Sequence, residues 1–169
     1  MRSPESPIRY TRKPFPSYRH LPGLTPHPRR HPQGHLHGVP EMDVEPLDPG
    51  AWRESIDYLC GVDLYNHLYY WEAHEAWEGP WKVMSRQAFP SVFLQGLIQV
   101  AAALLKRELG VTEGMRRLSR AGFTRLERVR RTHDSYCGLK LSEFIEATEC
   151  FLLTPRSSSE SRPPLIVLG

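Results

Sequence analysis

Prolines divide this chain in two. Eleven of its 16 prolines lie before Gly50, and between Gly50 and Leu153 only Pro80 and Pro90 remain. A proline fixes φ and lacks a backbone N–H, so neither helix nor sheet can run through so dense a block. Residues 1–49 are therefore expected to form an extended, mostly irregular arm with polyproline II character, ordered only where it lies on something. The arm is basic and histidine-rich. Up to residue 40 it has seven Lys or Arg and one acid, Glu5, and five of the eight histidines fall between His20 and His37.

From residue 50 to 153 the apolar residues recur at helical spacing. The expected fold class is all-α: a compact bundle of about five helices in antiparallel hairpins, with the arm attached. Asp48-Pro49 reads as the start of a first helix carrying Trp52, Ile56 and Leu59. Asn66-His67 reads as a break, because Asn tolerates left-handed backbone. A second helix is expected over 69–78, ended or kinked by Gly79-Pro80. A third begins at Pro90 and stops at Gly110, a fourth runs from Thr112 to about Arg131, and a fifth from Leu141 to Leu153. Residues 154–169, with Ser157-Ser158-Ser159, read as a flexible tail whose last residues, 165–168, are apolar enough to dock on the core.

The longest apolar run, Val92 to Leu105, has 14 residues including Gln95 and Gln99, short of the roughly 20 that a membrane span needs. It reads as a buried helix. No apolar stretch follows the basic N-terminal residues, and the three cysteines are odd in number and far apart, so a cytoplasmic protein with reduced thiols is expected.

The chemistry concentrates in WEAHEAWE, residues 71–78. At about 100° per residue with Glu72 at zero, Glu75 falls near 300°, Glu78 near 240° and His74 near 200°, a continuous polar arc. His74 and Glu78, at i and i+4, can reach one point above the helix. This is the layout of a zinc-peptidase motif with the second His replaced by Glu. His74 and Glu78 are thus candidate ligands of a divalent metal, and Glu75 a candidate catalytic base. Glu72, Trp81 and, across the pocket on the third helix, Gln95 and Gln99 are candidate ligand-binding groups. One helix supplies few ligands, so His67, His133 or the arm histidines would have to complete the set. An arm bringing His27 or His35 to this arc would join the two halves of the chain. The bland reading is a structural cluster, its acids paired with Arg116, Arg117 or Arg120.

Arg117, Arg120, Arg128 and Arg131 form one stripe on the fourth helix. With the basic arm they could contact nucleic-acid phosphates. A solvated face with Glu113–Arg117 and Glu127–Arg131 pairs is favoured, because no aromatics interleave the cations.

The segment YLCGVDLYNHLYYWEAHEAWEGPW, followed by FLQGLIQVAAALLKRELG, resembles the domain of unknown function 309 family over about residues 52–131. Glu72, His74, Glu75, Glu78, Trp81, Gln95, Gly96 and Gln99 match its pattern. The chain departs from it at Asn66-His67-Leu68, where a Gly is usual, and at Gly79-Pro80. The resemblance implies a compact helical fold and no particular activity. The functional expectation is a Glu/His/Gln pocket for a metal or small molecule, with metal-assisted hydrolysis the first class to test. The alternatives are a protein-interaction module in which the cluster is structural and, third, nucleic-acid binding. No membrane role is expected.

Overall fold

In the computed structural model, residues 6–155 and 163–169 are described; the Ser157–Ser159 run lies outside them. Helix α1 (Ile56–Asn66) is covered on every side, with each residue from Tyr58 to Asn66 buried. A helix without a solvated face belongs to the interior. It does not begin at Pro49. Asp48 Oδ1 accepts the Gly50 N–H at 2.8 Å, so the chain turns there. One 3-10 turn follows (Trp52–Glu54), and the extended Ser55 separates it from α1.

The break after α1 is real, but Asn66 is still helical and the left-handed residue is Leu68, at φ 70°. The Tyr69 N–H reaches back to the Leu64 carbonyl (2.8 Å) and the Leu68 N–H to that of Tyr65 (3.0 Å), a Schellman closure. The same closure ends the third helix, where Val111 bonds Lys106 and Gly110 bonds Arg107, with Gly110 at φ 74°. There glycine occupies the left-handed site without strain; at Leu68 a Cβ is crowded. Leu68 is 38% exposed, so little packing is lost on its removal. Leu68→Gly is expected to raise stability in urea by about 0.5–1 kcal/mol, the relief of strain exceeding the added chain entropy.

Helix α2 (Tyr70–Lys82) packs back on α1 through Trp77, which is fully buried and donates Nε1–H to the Tyr58 carbonyl at 3.1 Å. The Gly79-Pro80 pair does not end it. Pro80 lacks the N–H that would bond Ala76, yet it is buried, and the helix continues to Lys82. Tertiary burial overrides the local break. Gly79 lets the arm approach: a Cβ there would lie 3.2 Å from Val44.

Helix α3 (Phe89–Glu108) starts with Pro90 in its first turn. By length and composition it could cross a membrane, but 67% of its most apolar stretch is buried against the rest of the fold. Helix α4 (Thr112–Arg130) packs on it backbone to backbone: a Cβ on Gly122 would stand 3.0 Å from the Gly96 carbonyl oxygen, and one on Gly96 2.7 Å from Leu126. Along α4, Glu127 pairs with Arg130 at 2.8 Å rather than with Arg131, and Glu113 forms no ion pair among the described residues. A hairpin follows that the sequence reading missed: β1 (Ser135–Tyr136) and β2 (Leu139–Lys140), antiparallel. Both turn residues, Cys137 and Gly138, have positive φ, as a two-residue hairpin turn requires. Helix α5 (Leu141–Leu153) closes the fold, which is all-α apart from this ribbon.

The two polar groups inside α1 bind the two chain ends. Asp63, fully buried, accepts the backbone N–H groups of Tyr10 (2.7 Å) and Thr11 (2.8 Å) and the Thr11 hydroxyl (2.7 Å). Asn66 donates Nδ2–H to the Ile166 carbonyl and accepts the Ile166 N–H, both at 2.8 Å. Ile166 itself is fully buried, so part of the stretch read as a tail belongs to the core. Within the arm, residues 21–38 make a run of turns, and Phe15 stacks on Tyr69.

Candidate metal centre on the second helix

The α2 wheel has three sectors. Tyr70, Ala73, Trp77 and Pro80 are buried on the core side. Glu72 is buried as well, but beneath the arm. The sector between, carrying His74, Glu75 and Glu78, stays 24–30% exposed by side chain.

In that sector the three side chains converge. His74 Nε2 lies 3.2 Å from Glu78 Oε1, and His74 Nδ1 lies 3.5 Å from Glu75 Oε1. One donor atom from each residue falls within 4.8 Å of the others. The i, i+4 spacing brings His74 and Glu78 together, and Glu75 swings in from the adjacent turn. His74 Nδ1 is shielded from solvent and has no hydrogen bond among the described residues, with Glu75 Oε1 at 3.5 Å. Glu78 Oε2 also takes the Lys82 ammonium at 2.7 Å, which helps to raise the Lys82 pKa. Lys82 is largely exposed, so this pair contributes little to stability. The Trp81 Nε1–H is buried without a partner among the described residues, and its ring carries the Arg86 guanidinium at 3.7 Å.

Next to this cluster the arm closes over Glu72. The His20 N–H donates to Glu72 Oε1 at 2.7 Å, and His35 Nε2 lies 3.2 Å from the same oxygen. Glu72 Oε2 is buried with no hydrogen bond among the described residues. The His20 ring bonds Thr25 through Nδ1 (2.9 Å) and meets the ring of Trp71 edge-on. An arm histidine, His35, therefore does reach the acidic arc, at its covered edge.

Other expected members stand elsewhere. Gln99 Oε1 accepts a hydrogen bond from Arg125 of α4 at 3.0 Å. Gln95 is half-buried and makes no hydrogen bond among the described residues, so neither amide donates to the α2 carboxylates. The stripe holding these glutamines lies beside Gly96, whose close approach is to α4 rather than α2. Arg116, Arg117 and Arg120 form no ion pair with the α2 acids among the described residues. His67 bonds the Asp63 carbonyl through Nδ1 (2.8 Å), and His133 packs between Phe89 and Tyr136; neither joins the cluster. Asp63 and Asn66 were overlooked as anchors. Their signal was present: two polar side chains inside an otherwise apolar helix demand buried partners.

Burial sets the pH response. The His20 pKa is lowered by desolvation, then by its neighbour His27, so the unfolded chain takes up a proton there before the folded one. This contribution to stability is complete above about pH 6.5 and is lost as pH falls from that value toward the folded pKa. Burial raises the Glu72 pKa against the opposing bonds from His20 and His35. Its contribution has the other sign: greatest below the usual carboxylate pKa of about 4.5, and lost as pH rises through the folded value. Loss of the His20 contribution is expected to lower the melting temperature as pH falls below about 6.5, and His20→Gln to flatten that fall. A variant profile parallel to that of the wild type would show that another group titrates.

These features define a small all-α protein in which one acidic, histidine-bearing helix is flanked by a docked arm. Residues 58–118, covering most of α1, all of α2 and α3 and the start of α4, match the family model described as Domain of unknown function (DUF309). No curated protein matches it.

Proposed function

We propose that the exposed sector of α2 binds a divalent metal ion through His74, Glu75 and Glu78. The observation that carries this reading is the convergence of one imidazole and two carboxylates within 4.8 Å. The Nδ1 of His74, buried and without a hydrogen bond among the described residues, adds to it. This donor set suits zinc, manganese or ferrous iron, and three protein ligands leave coordination positions for water or substrate. A metal held there would supply a water of lowered pKa, so metal-assisted hydrolysis is the reaction class that fits best. Glu75 fits either of two roles, third ligand or proton acceptor. The two separate cleanly: Glu75→Gln that still binds metal marks a base, and one that does not marks a ligand. Lys82 can leave Glu78 at small cost, because the pair is exposed. Glu72 stands behind the cluster as a buried acid, and Trp81 beside it on the same helix.

Adding zinc or manganese chloride to the chelator-treated protein is expected to raise its melting temperature in proportion to the logarithm of metal concentration above the dissociation constant. The gain is about 2.7 kcal/mol at one hundred times the dissociation constant. Calorimetry should give one ion per chain, and Glu78→Gln should weaken binding at least tenfold. Unchanged melting in every metal would discard the proposal.

The ion pairs around Glu78 also support a second reading, a helical interaction module in which His74 and Lys82 bridge the acids structurally. Under that reading His74→Ala lowers the melting temperature and chelator changes nothing. Cys60 and Cys137, buried and unpaired, suit a reducing compartment such as the cytoplasm.

A further inference from the structure

The open cleft between α4 and α5 lies outside the metal-binding proposal. Of the 19 residues of α4, only Gly122, Leu126 and Val129 are buried, all on the side packed against the rest of the fold. On its other side a cleft of about 830 Å³ runs between α4 and the C-terminal end of α5. Its apolar lining is Met115, Phe123, Leu152 and Leu153, and Leu153 is 79% exposed. Its rim carries Arg116, Arg120 and Arg131, all exposed. Of the two acids in the lining, Glu127 is already paired with Arg130, leaving the cations in excess.

We infer that this cleft is a docking groove for an acidic amphipathic helix of a partner protein. An apolar floor between guanidinium groups calls for a ligand with an apolar stripe and carboxylates beside it, the helix-in-groove mode. Charge complementarity selects acidic over basic partners. A nucleic-acid backbone fits less well. It offers no apolar surface for Phe123 and Leu153.

The test uses the full chain and a fluorescein-labelled synthetic 16-residue peptide with Leu at i, i+3, i+4 and i+7 and Glu on its flanks. Fluorescence anisotropy is read against three controls: a shuffled peptide of the same composition, a Lys-for-Glu peptide, and a single-stranded oligonucleotide. Saturable binding of the acidic helix, at least tenfold tighter than each control, supports the groove. It should weaken at least tenfold in Leu153→Asp and in Arg120→Glu. Both residues are exposed, so both variants should keep the wild-type circular dichroism. Equal binding of the shuffled peptide, tighter binding of the oligonucleotide, absence of saturable binding, or indifference to both substitutions would each overturn it. So would concentration-dependent self-association in sedimentation that Leu153→Asp abolishes, since the occupant would then be a second copy. None of these readouts depends on metal, so failure here leaves the α2 proposal standing.

Discussion

Asp63→Ala is expected to lower the unfolding free energy by about 3–5 kcal/mol in urea, the range for breaking a buried charged hydrogen-bond set by removing one partner. The magnitude follows from where the carboxylate sits. Asp63 has no solvent exposure, and its two oxygens receive three donors from Tyr10 and Thr11, with Arg9 Nε at 3.7 Å. Removing the acceptor orphans two backbone N–H groups and a hydroxyl at once. The arm then loses its first attachment, and the cover over Glu72 should loosen with it. Proteolysis should cut before His35 in the variant and not in the wild type. Asp63→Asn is the control for charge. It keeps one acceptor oxygen but turns an amide toward donors, so it should fall between the wild type and the alanine variant. Full stability in Asp63→Ala would mean that the arm is only loosely laid on the core.

Gly61→Ala should be nearly as damaging, at about 3 kcal/mol, the upper end for overpacking. The added methyl would stand 2.6 Å from Trp77 Cε2 and nearer still to Nε1. The indole cannot step aside freely, because it is fully buried and hydrogen-bonded to the Tyr58 carbonyl. Close packing of the surroundings transmits the strain into the α1–α2 contact. In a Trp77→Leu background the same substitution should cost much less. The coupling in that double-mutant cycle measures the glycine–indole fit. Additive losses would show that Gly61 serves the helix in some other way.

How much of this was readable beforehand depended on range. The boundaries of α5 follow from its apolar period, and those of α3 from Pro90 and Gly110. Such cues act within a few residues. Pro80 misled for the opposite reason, since a local breaker is overruled when the ring itself is buried. Leu68 could not be foreseen as the left-handed residue with Asn66 two places before it. Asn66 was held in the helix by a partner 100 residues away, Ile166. The hairpin turn was hidden because Cys137 is not a residue that advertises positive φ. At the candidate site, the His74–Glu78 pair is a consequence of helical spacing alone and was legible. That Gln99 turns to Arg125, and that His20 and His35 close on Glu72, depended on how separate segments pack.

The most direct test of the α2 metal site is anomalous diffraction from crystals grown with zinc or manganese, recorded on either side of the metal edge. The expected result is one strong peak about 2.0–2.2 Å from a ring nitrogen of His74 and from carboxylate oxygens of Glu78 and Glu75. A map without a peak there at full metal loading, or with its peak on the arm histidines instead, would contradict it.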